Sequence, residues 1–242
     1  MGENIRGDEL MKYDNITEAE FIDRPNRFIA HVKLNRGSQT VHVKNTGRCK
    51  ELLIPGCTVY LTAPGTPGRK TVYDLVAVRK NNGLLINMDS QAPNAVVREW
   101  LDKLGFDRII PEYVYGSSRI DFYAEDMTGK YLIEVKGCTL EKNGTGYFPD
   151  APTQRGVKHL KELTAACEKG YKAVLVFVIQ MDGVSEVRAN AEIHQDFADA
   201  LYEAEKGGVT VVNLECHVEP DSLTVKYPER DLIREDLSES GK

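Results

Sequence analysis

Between residues 27 and 88 apolar residues fall at alternate positions in short runs, whereas from residue 93 they recur at a helical spacing. One element cannot satisfy both periods, so the switch near Asp89-Ser90 divides the chain into a β-rich part and an α/β part. In the first part RFIAHVKL, TVHVK, CTVYLT, TVYDLVAV and LLINM are separated by Gly37-Ser38, Asn45-Thr46-Gly47, Pro55-Gly56, a Pro64 to Gly68 loop and Asn82-Gly83. Five short strands with no helix among them predict a small five-stranded barrel of the OB kind. In the second part PNAVVREWLDKLG predicts a helix, with Pro93 near its first turn and Gly105 past its end. RIIPEYVYG, RIDFYAED and KYLIEVKG predict three strands, and TQRGVKHLKELTAACEKG a helix capped by Thr153. AVLVFVIQ predicts a central strand buried on both faces. A helix over HQDFADALYEAEKGG and a strand over VTVVNLEC follow. That order predicts an α/β layered domain with a mixed sheet. The expected organisation is an extension over residues 1–23, loosely held or a short helix, a barrel over 24–88, and an α/β domain over 89–242.

Charge is distributed unevenly. Residues 24–82 hold eleven Lys and Arg against Glu51 and Asp74, a net +9, while the whole chain carries −6 and the remainder therefore −15. Such asymmetry points to a polyanion, although solvated strand faces give the same count. Barrels of this kind bind single strands through basic and aromatic face residues. Arg27, Lys44, Arg48, Lys50 and Tyr60 are the candidates. The polar, acidic first twenty residues do not read as a targeting segment, and no apolar run approaches a membrane span. Five scattered cysteines without a C-x-x-C pair fit reduced thiols, so the expected location is the cytoplasm, with no membrane partner.

Chemistry concentrates in the hairpin from Arg119 to Gly137. A turn centred between Met127 and Thr128 places Asp121 opposite Glu134; a bulge at Gly129 would shift that register by one. Two like charges about 4 Å apart at an effective dielectric near 20 repel by roughly 4 kcal/mol. A divalent cation between them would remove that cost, and hard oxygen ligands suit Mg²⁺ or Mn²⁺. Lys136 shares a strand face with Glu134 and can orient the attacking water. Glu99, on the preceding helix, is a third candidate acid. The competing reading is a plain Glu134–Lys136 surface salt bridge. Arg119, Arg155 and Lys158 are placed to meet phosphates beside the hairpin. His159 and Lys161 complete a basic helix, whose bland alternative is an exposed face with a Lys158–Glu162 pair. The Asn143 to Gly146 stretch is either a flap or a surface turn.

The strings SRIDF (118–122), EVKGCTL (134–140), GYFPDAPTQRGVKHLKEL (146–163), NTG (45–47), NRFIAHV (26–32) and PNAVVREWL (93–101) resemble the sugar fermentation stimulation protein A family. The resemblance covers nearly all of the chain after residue 20. It implies an OB-fold domain followed by a PD-(D/E)XK nuclease-like domain, DNA binding, and a link to regulation of sugar (maltose) metabolism. By position, the superfamily's metal-binding acids fall on Asp121 and Glu134, its lysine on Lys136, and its helix acid on Glu99. Ile120 stands where the superfamily's proline would precede Asp121, and Arg48 and Lys50 make the loop after Asn45-Thr46-Gly47 more basic.

Three functions are therefore open. The first is a DNA-binding protein, for single-stranded or branched DNA among other forms, with Mg²⁺- or Mn²⁺-dependent phosphodiesterase activity. The second is a non-enzymatic DNA-binding regulator on a nuclease scaffold, and the third an RNA-processing factor.

Overall fold

The computed structural model describes residues 11–35, 37–45, 47–227 and 231–234. Thr46 of the NTG string, Arg36 of the charge count, and residues 1–10 of the expected extension lie outside them.

The barrel is built from β1 (Thr17–Asn26), β2 (Ile29–Leu34), β3 (Gly37–Val43), β4 (Thr58–Thr62) and β5 (Asp74–Arg79). β1 pairs with β2 and β4, and parallel β3–β5 pairing closes the ring. The count of five matches the expectation, but the membership does not. Residues 17–23 form most of β1, because Ala19 and Phe21 alternate inward while Glu18 and Glu20 face solvent. The expected fifth strand, β6 (Leu85–Asn87), lies on the outer edge of β5 instead. Residues 11–13 are also tied down: Tyr13 N–H donates to Asp221 O at 2.7 Å, and Leu223 N–H to Met11 O at 3.2 Å.

α1 (Ala92–Lys103) opens the second domain. Its main sheet has the order β15-β14-β12-β9-β8-β7. These strands are β7 (Arg108–Tyr115), β8 (Ser118–Asp126), β9 (Gly129–Cys138), β12 (Lys172–Ile179), β14 (Thr210–Glu219) and β15 (Ser222–Val225). β12 runs parallel to both β9 and β14 and is buried on both faces, as its continuous apolar run requires. α1 covers one face with Val96, Val97 and Trp100 against Tyr131, Ile133 and Val135. α2 (Gln154–Cys167) and α3 (Gln195–Lys206) cover the other, where Leu160, Leu163 and Phe197 join a core continuous with the barrel interior. Thr153 caps α2 as expected, accepting from Gly156 N–H at 3.0 Å. A small sheet of β10 (Leu140–Lys142), β11 (Thr145–Phe148) and β13 (Val187–Ala189) flanks them. Asn143 and Gly144 form the β10–β11 turn with φ of 54° and 81°. No described helix is long and apolar enough to cross a membrane.

A buried polar brace joins the two domains. Asp89 Oδ2 takes Lys44 Nζ at 2.5 Å and the Tyr13 hydroxyl at 3.1 Å, while Oδ1 takes Gln91 N–H at 2.9 Å. Just past the end of β12, Gln180 Nε2 donates to Asn87 O, Asn87 Oδ1 and Asp89 O at 3.0–3.1 Å. The Gln180 side chain passes directly over Gly137, where an added Cβ would sit 2.2 Å from Gln180 Oε1. Only glycine permits that approach.

Candidate functional site

β8 and β9 pair from Asp126↔Gly129 to Phe122↔Ile133, the register expected from a turn at Met127-Thr128. Beyond that pair the ladder stops. Asp121 fills the opening: its Oδ2 accepts Val135 N–H at 2.8 Å, replacing the missing strand partner, and its Oδ1 accepts Asn94 Nδ2 at 2.9 Å. Glu134 is 2% exposed and faces α2, since Ile133 and Val135 on either side face α1. Lys136 Nζ and His159 Nδ1 both bond Glu134 Oε1. Lys136 also reaches Val135 O at 3.3 Å. Arg155 Nε donates to His159 Nε2 at 3.4 Å, which places the imidazole hydrogen on Nδ1, toward Glu134. Asp121, Glu134 and Lys136 thus converge, with Asn94, His159 and Arg155 around them.

The two carboxylates have opposite electrostatics. Burial pushes the Asp121 carboxyl up, and the Glu134 charge adds to it, more than Lys136, Val135 N–H and Asn94 offset. Burial would raise Glu134 too, but the His159 hydrogen bond and the Lys136 ammonium hold it below the usual carboxylate range. Neighbouring acids driven apart in this way mark sites that handle protons or cations.

The raised Asp121 value carries a stability consequence. A carboxyl with a folded pKa above its unfolded one stabilises the fold fully below the unfolded value and loses that contribution as pH rises through the folded value. Above the ordinary Asp range the buried Asp121 carboxyl therefore weakens the fold. Asp121→Asn should stabilise the metal-free protein at pH 7 by roughly 0.5–2 kcal/mol, the usual size for relief of a functional-site cost. Asn94 can rotate its amide to accept from the new one. Denaturant melts across pH check this, and the gain should vanish once pH falls below the ordinary Asp range. A loss of stability at pH 7 would refute it.

Several expected residues lie elsewhere. Glu99 does not join the cluster; it lies five residues, or about 140° of helical rotation, from Asn94. Its neighbours are the Met11 backbone, Lys103 and Asp102, and its carboxyl is raised chiefly by burial. Asn94 reaches Asp121 from this helix instead. Lys44 is spent in the interdomain brace. Tyr60 is buried, with its hydroxyl taking Arg79 at 3.0 and 3.2 Å. His159 belongs to the buried face of α2 rather than to the basic face; its place in the Gly156, Leu163, Ala166 stripe was the available signal. Lys158 pairs with Glu162 at 3.7 Å, and Arg119 with Glu112 at 2.8 Å, both at exposed positions. Arg27, Arg48, Lys50 and Arg155 are exposed.

A cleft of about 290 Å³ lies between the domains beside the cluster. Asn45, Gly47 and Ser90 line it on the barrel side, with Pro93, Gly137 and residues 147–153 opposite. Gly47 and Asp150 nearly touch across it, since a Cβ on Gly47 would stand 2.4 Å from Asp150 Oδ2. Buried Asn190 fixes the opposite wall by bonding Phe148 O at 2.7 Å and Pro149 O at 3.1 Å.

Comparison with known proteins covers both domains. Residues 22–88 match the family model described as the SfsA N-terminal OB domain, and residues 91–222 match the sugar fermentation stimulation protein RE domain. The sugar fermentation stimulation protein homolog of Desulfitobacterium hafniense is 53% identical over 216 residues, covering 88% of this chain and 94% of that one. The homolog of Ruminiclostridium cellulolyticum is 50% identical over 220 residues, covering 89% and 97%. The structure of Pyrococcus furiosus SfsA in complex with Ca²⁺ superposes with a TM-score of 0.79 at 29% identity, covering 90% of this chain and 96% of that one.

Proposed function

The chain belongs to the sugar fermentation stimulation protein family, and from that premise we propose that it is a DNA-binding protein with a divalent-metal-dependent phosphodiesterase site. The observation that carries this reading is the Glu134 carboxylate. One oxygen is held by Lys136 and His159, while Oε2 is buried without a protein partner among the described residues. An orphaned buried acceptor costs about 1–3 kcal/mol unless another group takes it. Together with Asp121 it forms a hard-oxygen pair that fits Mg²⁺ or Mn²⁺. Among the described residues no group of three His, Cys, Asp or Glu is placed to hold a metal, so Asp121 and Glu134 would be its side-chain ligands. Water suits the remaining positions, as Mg²⁺ sheds its hydration reluctantly. The Ca²⁺ bound by the Pyrococcus furiosus relative supports a divalent site in this fold.

Such an ion would lower the pKa of a bound water and offset charge on the phosphodiester. Lys136 supplies a positive charge and three donors at the same oxygen edge, which orient a nucleophilic water and balance charge on the reacting phosphate. His159 fixes the Glu134 carboxylate, and Asn94 fixes Asp121, so neither ligand must reorganise. Arg155, at the solvent end of the His159 chain, and Arg119 present charge for the flanking phosphates.

A second reading is a DNA-binding regulator, of sugar metabolism as the family name suggests, without enzymatic activity. It is favoured by the direct Lys136–Glu134 pair, which neutralises the acid internally. Incubating the purified protein with single-stranded, duplex and branched DNA, and with matched RNA, separates the two. The expected result is cutting of at least one DNA form with Mg²⁺ or Mn²⁺ and none with chelator. Binding without cutting under either metal would eliminate the enzyme and leave the regulator; RNA cut in preference to DNA would move the reading to RNA processing.

A further inference from the structure

A second concavity, of about 220 Å³, opens on the barrel and is lined by Arg24, Arg27, Arg48 and Lys50. It adjoins the interdomain cleft, since Gly47 lines both. Its frame is built by Arg24, which binds four carbonyls: Nη1 takes Gly47 O and Arg48 O at 2.9 Å, and Nη2 takes Arg27 O at 2.7 Å and Asn45 O at 2.6 Å. Among the described residues the buried Arg24 Nε meets no oxygen or nitrogen acceptor. Cys49 holds the loop in a left-handed conformation, φ 45°, that non-glycine residues seldom adopt, with its thiol side buried. Such strain persists only where the surroundings impose it, and it collects at ligand sites.

Most other described cations of the barrel are ion-paired, Lys70 and Arg79 being the exceptions, and Arg79 bonds the Tyr60 hydroxyl. Lys33 pairs with Glu20, Arg69 and His42 with Asp74, Lys44 with Asp89, and Lys80 with Glu141. Arg27, Arg48 and Lys50 enter none of the ion pairs formed among the described residues, although all three are close together around one concavity. Asp150, across Gly47, is the acid that feels Arg24 and Arg48, and burial opposes its ionisation. Unneutralised like charges held together cost free energy unless an anion joins them. Beside Arg27 stands Phe28, a phenylalanine 56% exposed where most of its kind are buried. Phe28 does not itself line the concavity, but it follows the lining residue Arg27 in the β1–β2 turn, and a ring exposed one residue from a cationic pocket suits an unpaired base with its phosphate.

We infer that this concavity binds the phosphoryl group of a single-stranded nucleic acid, with the adjoining base stacked on Phe28. The strand then enters the interdomain cleft, which leads past Gly47 to Gly137, the residue after Lys136. The inference rests on the nucleic-acid-binding reading above but not on catalysis. Binding is therefore measured in chelator, where no cleavage can occur, so a protein that binds but never cuts would still test it.

The probes are a short 5′-phosphorylated thymidine oligonucleotide, its 5′-hydroxyl twin, a hairpin duplex of equal charge, and inorganic phosphate as competitor. Arg48→Ala/Lys50→Ala, both exposed, should weaken single-strand binding about tenfold or more and reduce the salt slope by roughly one. Phe28→Ala should weaken single strands about tenfold yet leave phosphate competition and duplex binding unchanged. A 5′-phosphate preference that the double variant erases identifies the terminal phosphate as the occupant; equal weakening of both oligonucleotides identifies an internal phosphodiester. Single-strand affinity indifferent to the double variant or to Phe28→Ala would overturn the proposal, as would a wild-type protein that grips the duplex as tightly.

Discussion

Replacing Lys136 with alanine is expected to lower metal-dependent cleavage by about 10²–10³-fold, the usual cost of removing one donor to transition-state charge. Substrate affinity should stay within a few-fold, because the variant leaves unchanged Arg119 and Arg155, the arginines proposed to meet the phosphates. The variant also strips Glu134 of one of its two partners. Breaking a buried ion pair from one side costs about 3–5 kcal/mol. Here the lower end is expected, since His159 still holds Oε1. Single-turnover cleavage separates the catalytic loss from the folding loss, which denaturant melts report independently. Lys136→Arg should not rescue cleavage, because a planar guanidinium presents its donors differently from a compact ammonium. Glu99→Gln is the informative companion: its side chain faces the Met11 backbone rather than Asp121, so cleavage should be unchanged. Full cleavage in Lys136→Ala would remove the lysine from the chemistry. Loss of cleavage in Glu99→Gln would mean that the helix acid acts after all.

What could be read in advance depended on how local the controlling interaction is. The β8–β9 register follows from a two-residue turn, and a period of two then assigns each side chain to a face; Asp121 and Glu134 were therefore legible. Strand β1 was not, because Glu18, Glu20 and Asp23 give its outward face the look of an acidic tail while Ala19 and Phe21 quietly keep the alternation. His159 sits among Arg155, Lys158 and Lys161, so composition classed it with a solvated basic face. Only the sheet that α2 packs against makes its position a buried one. Asn94 presents the same difficulty in reverse. Nothing in a helix's own sequence tells which residue of its first turn will meet a strand residue 27 positions later. Residue type and period place groups on faces; tertiary packing decides which faces meet.

Lys44 shows the limit most clearly, and Asp89→Ala tests it. Asp89 is 0% exposed, and its two oxygens receive the Lys44 ammonium, the Tyr13 hydroxyl and Gln91 N–H. Alanine would leave a partly buried ammonium, a hydroxyl and an amide without their acceptor, at a cost of about 3–5 kcal/mol. For a chain of this length that corresponds to a fall in Tm of roughly 6–20 °C. Asp89→Asn keeps an acceptor for Gln91 N–H and should lose less. The reciprocal change, Lys44→Ala, removes the cation that pairs with this buried carboxylate among the described residues and should cost a similar amount. If Lys44 instead gripped phosphate, that variant would keep its Tm and lose DNA affinity with a shallower salt slope. The brace predicts the opposite pattern, a lower Tm with the salt slope unchanged at temperatures where the variant is folded. Because Gln180, just after β12, bonds the same segment, the loss should also loosen the barrel against the second domain. Hydrogen exchange would register this as faster exchange at Asn87 N–H, which donates to Gln180 O at 2.9 Å across that junction.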